Sequence, residues 1–195
     1  YSRIVGIWND ALSSCGDPDE HLITQHRLAM KRGFSQKIGY ATKGTACFRV
    51  PSAYWQAQVI NRFLWDSANE TPIAFETKDA LGCVQDLIWP GLNRISKETT
   101  DRMRRDFPTF EDPWHTVHGY LKWLKDKHWM FDKRVLGKQW LPSTSALYLR
   151  KEQEAAWQQE RERKEAVTDW VDMILSSVPA NETSDFDRTA WIDWF

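Results

Sequence analysis

The sequence predicts a mainly α-helical protein, on three observations. Apolar residues recur at i, i+3, i+4 and i+7 in most segments, the signature of a helix with one buried side. From Ser145 to Ser177 there is neither Gly nor Pro, so one long helix runs unbroken. No internal repeat, low-complexity linker or strand-rich region appears anywhere in the 195 residues.

The elements follow in order. Ser2 to Leu12 reads as a helix with Ile4, Val5, Trp8 and Leu12 on one side, stopped at Gly16-Asp17-Pro18-Asp19. Asp19 or Asp17 caps a second helix that ends near Gly33, and the two are expected to form an antiparallel hairpin. Ser35 to Val50, with Gly39, Thr42, Gly44 and Thr45, reads as a loop or short irregular extended piece. Pro51 opens a helix with Trp55, Val59 and Phe63 in a row, and a loop at Ala68-Asn69-Glu70 and Pro72 follows it. Thr77 to Trp89 is expected as one further helix, closed by Pro90-Gly91. Ser96 begins a short charged helix, and Asp112-Pro113 marks the next, a cap followed by Pro at the first helical position. That helix buries Trp114, Val117, His118, Leu121 and Leu124 up to about Trp129. Pro142 and Ser143 or Ser145 then start the long helix. Its middle, Arg150 to Glu165, has only Ala155, Ala156 and Trp157 as apolar residues and is solvated, with pairs such as Glu160 and Lys164 adding roughly 0.2–0.5 kcal/mol each. Apolar spacing returns at Val167, Trp170, Val171 and Ile174, a stripe suited to another subunit's surface.

Composition narrows the function. No run approaches the roughly 18 apolar residues of a membrane span. Twelve tryptophans suggest large partner surfaces. The net charge of −1 conceals an asymmetry: His21 to Trp65 contains no Asp or Glu, against Arg27, Lys31, Arg32, Lys37, Lys43, Arg49 and Arg62. An acidic protein or a nucleic acid is the natural partner of such a stretch. After Ala166 acids dominate. Cys15, Cys47 and Cys83 are odd in number and widely spaced without CxxC, which suggests neither a disulfide framework nor a zinc ribbon and favours a reducing compartment. His115 and His118 stand at i, i+3, with no Cys or paired acid read at ligand spacing beside them, so no metal site is expected. No phosphate loop or nucleophile elbow is present, and no catalytic residue is assigned. An alternative places a winged helix at Ile95–Leu149, with Asp112 to Trp129 as recognition helix and Val135 to Leu149 as wing. That helix, read with aromatics and leucines all round, is poor in Arg, Asn and Gln for base edges.

Two patches resemble the mitochondrial LYR-motif family. Ile7-Trp8-Asn9 stands where the family has Leu-Tyr-Arg, followed by Met30-Lys31-Arg32-Gly33-Phe34. Trp140-Leu141-Pro142-Ser143 leads through Ala146-Leu147-Tyr148 into a charged segment with Trp157, similar to a late stretch of the family's accessory subunit in the membrane arm of respiratory complex I. The resemblance implies a non-catalytic accessory subunit on the matrix side of the mitochondrial inner membrane. It implies an acidic acyl carrier protein as partner, bearing acyl-phosphopantetheine, near Trp8, Arg27, Lys31, Arg32 and Phe34. Other subunits would meet Trp157, Val167, Trp170, Val171, Ile174, Trp191 and Trp194. The regions are then 1–65, basic and LYR-like; 66–139, helical; 140–178, the long charged helix; and 179–195, an acidic aromatic tail. The main alternative function is nucleic-acid binding, by a winged-helix factor or a mitochondrial ribosomal subunit.

Overall fold

A computed structural model describes residues 1–66, 73–133 and 139–177 and is mainly helical, ending in a long helix. The loop expected at Ala68–Pro72 and the tail with Trp191 and Trp194 lie outside those residues. The chain divides into two compact units, Tyr1–Arg150 and Lys151–Phe195.

Helix starts follow their caps. Helix α1 spans Ser2–Ser13 and α2 Glu20–Lys31, where the Asp19 carboxylate accepts the Leu22 N–H at 2.8 Å. Helix α2 packs chiefly against α3 (Ser52–Ile60), and α1 against the short turn Thr45–Cys47, so the hairpin expected of α1 and α2 is not the main packing. The reason is burial. Leu22 and Ala29 of α2 are buried, as are Trp55, Gln56, Ala57, Val59 and Ile60 of α3, whereas Trp8 of α1 sets its ring edge-on to Phe110 at 5.0 Å.

Helix α3 passes into a π-helical turn at Asn61–Trp65. Such a turn loosens the regular backbone pattern and needs outside partners. Arg150 Nη1 donates to the Trp65 carbonyl at 2.9 Å. Buried Asn61 donates to the carbonyl and the side-chain oxygen of Gln25 and accepts from Arg32 Nη1 at 2.9 Å.

Strand β1 (Phe75–Glu76) runs straight into α4 (Thr77–Cys83), whose start carries a capping box of Glu76 and Asp79. The helix expected to continue to Trp89 stops early. Gly82 weakens it, and the next residues pair with another segment instead: Arg49 N–H donates to Leu87 O, and Trp89 N–H to Cys47 O. Helix α5 (Lys97–Asp106) is capped by Ser96, and α6 spans Pro113–Asp126. Helix α6 leads into β2 (Met130–Lys133), which pairs antiparallel with β3 (Gln139–Pro142). Strand β1 pairs on the other side of β3, with Phe75 opposite Trp140, giving the order β1-β3-β2. The wing expected at Val135–Leu149 is corrected accordingly: the hairpin lies earlier, and Thr144 onward is helix α7 (Thr144–Ser177).

The core of the first unit is aromatic. Phe48 stacks on Trp55 at 4.7 Å, Trp55 meets the edge of Tyr120 at 5.3 Å, and Phe34 packs against Trp65 and Trp129. Most of the described tryptophans thus serve packing: Trp8, Trp55, Trp65 and Trp140 are buried, and Trp89, Trp123 and Trp129 half-buried. In α7, Lys151 to Ala166 is exposed except at Gln153 and Trp157, as its composition requires. Arg161 and Glu165 form an i, i+4 pair there at 4.0 Å, which Glu160 and Lys164 do not.

Candidate functional site

Three hydrogen-bonded residues fix α6 to the hairpin. Trp140 Nε1 donates to Thr77 Oγ1 at 3.0 Å, and the Thr77 hydroxyl lies 3.2 Å from His118 Nδ1. Having accepted the indole N–H, Thr77 keeps its own proton to donate to His118. A strand, the short helix α4 and α6 are thereby locked together, with α4 packed on α6. The buried side of α6 is Thr116, Val117, Tyr120, Leu121 and Leu124, and the exposed positions are Trp114, His115, Lys122 and Asp126. Trp114 apart, the exposed positions are polar or charged, so the reading that aromatics and leucines run all round this helix is corrected. The polar groups of that outer face are thus a histidine, a lysine and a carboxylate.

At the start of α6 lies a cleft of about 590 Å³, walled by α5, by the first residues of α6 and by residues from Leu81 to Ile95. Leu92 and Ile88 form an apolar floor. Arg94, Lys97, Arg104, Trp114 and His115 supply the aromatic and basic lining, with Asp101 and Asp112 as its acids. Asp112 caps α6 through the His115 N–H at 3.1 Å and also meets His115 Nδ1 at 2.6 Å. Arg104 holds the acids: its Nη2 lies 2.5 Å from Glu111 and 2.9 Å from Asp112, and its Nη1 3.5 Å from Asp101. The hydrogen bond to Glu111 and these carboxylates raise the Arg104 pKa further, against the opposing effect of burial, which is the largest single influence.

Glu111, Asp112 and His115 gather their ligand atoms within 4.8 Å, an acid pair beside His115 that helical spacing alone did not single out. Arg104 already pairs with both carboxylates, so the cluster is an ion-pair network around a helix cap. His118 faces Thr77, Trp114 and Trp140 instead, and the two histidines do not converge.

The residues expected near an acyl carrier protein separate. Trp8 and Phe34 are fully buried, so the structure corrects their role from partner contact to core; both are large apolar groups whose burial stabilises the fold. Arg32 is tied to Asn61, to Asp66 at 3.7 Å and to the Trp65 ring at 4.8 Å, and desolvation lowers its pKa. Arg27 and Lys31 stand exposed one turn apart on α2. Of the expected interface residues, Val171 is buried within the chain and has no area to offer, which corrects its place in that set. Trp157, Val167 and Ile174 are half-buried, and Trp170 is 43% exposed. Burial raises the pKa of the Cys47 thiol, which leaves it a poor nucleophile near neutral pH, whereas Cys83 is exposed. Compared with protein-family models, curated proteins and solved structures, the chain matches none.

Proposed function

We propose that this chain is a nucleic-acid-binding protein that presents α6 and the β2–β3 hairpin to a duplex in the manner of a winged helix. The observation that carries the reading is the path of the chain: β1 leads into α4, α4 packs on α6, and α6 runs directly into an antiparallel hairpin in a sheet of order β1-β3-β2. A helix followed by such a hairpin is the arrangement in which one element enters a groove and the other follows the backbone. Charge supports it. Lys122, Lys125 and Lys127 lie on or just after α6, and the residues joining β2 to β3 include Arg134 and Lys138. Recognition is through phosphates, with little sequence preference, because the outer face of α6 lacks Arg, Asn and Gln.

The test is fluorescence anisotropy on a short labelled duplex across a salt series. Binding weakens steeply with salt, and Lys122→Glu with Lys125→Glu lowers affinity by at least tenfold and makes the salt slope shallower by about one for each phosphate left without its lysine. Absence of saturable binding at low salt rejects the reading.

A second reading is favoured by α7. With 34 residues it extends about 50 Å, and Trp170 and Met173 remain substantially exposed beyond a charged middle. These features suit a non-catalytic accessory subunit of a large assembly, for which the resemblance suggests mitochondrial complex I and an acyl carrier protein against Arg27 and Lys31. Co-migration of the native chain with that complex on a native gel, abolished in Arg27→Glu/Lys31→Glu, is its test.

A further inference from the structure

We propose that the cleft at the start of α6 receives a single unpaired nucleotide, with its base on Trp114 and its phosphate at Arg94 and Lys97. The inference rests on the nucleic-acid reading and specifies what this end of α6 recognises.

The cleft has the size and the parts for such a ligand. About 590 Å³ lies in the range of pockets that enclose a small organic molecule. Trp114 lines it and is 36% exposed. One face of its indole is covered by His118, parallel within 9° at 4.9 Å, which holds the ring flat and fixed. The His115 ring also meets the indole, edge-on at 4.7 Å, and the part of Trp114 that the two histidines leave exposed is the platform for a base; stacking of this kind is tolerant of base identity.

The charges are arranged by distance along α5. Lys97, Asp101 and Arg104 occupy one side of that helix, and Lys97 is separated from Arg104 by about 10 Å of helix. At the Arg104 end the cation is consumed by Asp101, Glu111 and Asp112. At the other end Arg94 and Lys97 are exposed, and no described carboxylate pairs with either. Positive charge is therefore left at one end only, while His115, fixed through Nδ1 by Asp112, presents Nε2 for a hydrogen bond at the other. The apolar floor of Ile88 and Leu92 suits a ring and not a water-filled groove.

The experiment compares two DNA duplexes of the same paired sequence, one blunt and one with a short unpaired 3′ end, by fluorescence anisotropy at fixed salt. The full chain binds the unpaired-end duplex about tenfold more tightly, as expected for one stacked base. Trp114→Ala abolishes that preference and leaves blunt-duplex affinity within about twofold, whereas Trp114→Phe retains most of it. Arg94→Glu with Lys97→Glu also removes the preference; both side chains are exposed, and circular dichroism checks that the fold persists. Equal affinity of the wild type for the two duplexes, or a preference that survives in Trp114→Ala, overturns the inference while leaving duplex binding intact. Failure to bind either duplex overturns both readings.

Discussion

Single residues carry more of this structure than their type suggests. Gly44 sits at φ 80°, in the left-handed region, and a Cβ there would collide with Thr116 Oγ1 and lie 2.8 Å from the Glu111 carbonyl. It therefore lets the loop 35–50 press against the start of α6. Gly44→Ala should cost about 2 kcal/mol or more, from backbone strain of about 1–2 kcal/mol with the clash added, read as a drop in the denaturation midpoint. In the sequence Gly44 is marked only as a loop residue, because the atoms that enclose it come from far along the chain. Tyr120 makes a similar point. Its ring is fully buried and its hydroxyl donates to the Lys37 carbonyl at 2.5 Å, while desolvation raises its pKa well above 10. Tyr120→Phe leaves that carbonyl without its donor and should cost about 1–2 kcal/mol. The pH dependence has a definite sign. The unfolded tyrosine ionises near its ordinary value, about 10, and the folded one well above it, so the native state holds the proton longer. Tyr120 thus stabilises fully below about pH 10 and its contribution is lost as pH rises through the folded pKa. Denaturant titrations above pH 10 should show a steeper alkaline loss in the wild type than in Tyr120→Phe.

Elements are legible in the sequence wherever the cause is local. Asp19, Ser96 and Asp112 cap α2, α5 and α6 as expected, since a cap needs only the residue and the next three. The sheet is not legible. Strand β1 has two residues, and β2 and β3 four each, too short for alternation to register, and the β1–β3 pairing joins residues more than sixty positions apart. For the same reason the helix after Thr77 is shorter than its periodicity suggests: the residues beyond it pair with 47–49, which no window around it contains. Thr77 is the joint between these elements. Thr77→Val keeps the shape but strands the buried Trp140 N–H and the proton-accepting Nδ1 of His118. A buried donor without a partner costs about 1–3 kcal/mol, and hydrogen exchange should rise in β3 and α6 together while α2 is unchanged. If exchange rises in β3 alone, His118 is not coupled to the hairpin through Thr77.

At the scale of the whole molecule, the question is which part of the chain each proposed function requires. The first compact unit ends at Arg150 and contains helices α1 to α6, the sheet, the cleft and the outer face of α6. The first turns of α7 belong to it, since Arg150 satisfies the Trp65 carbonyl and lies 5.6 Å from the Trp65 ring. A chain ended after Arg163 retains both interactions and omits the stripe at Val167, Trp170, Val171 and Ile174. Val171 is 1% exposed, while Trp170 and Met173 present apolar area. Large side chains left in water forgo roughly 1.5–3 kcal/mol each, which is the incentive for them to meet another surface. The truncated chain should keep its thermal midpoint within about 4 °C, the shift that about 1 kcal/mol produces at this size. It should bind duplex with unchanged salt dependence. Co-migration with a larger assembly should disappear. Duplex binding that persists without assembly assigns the two activities to different parts of one chain. A fall of the midpoint well beyond that range would mean that the far part of α7 stabilises the first unit, and the stripe would then have to be counted as core.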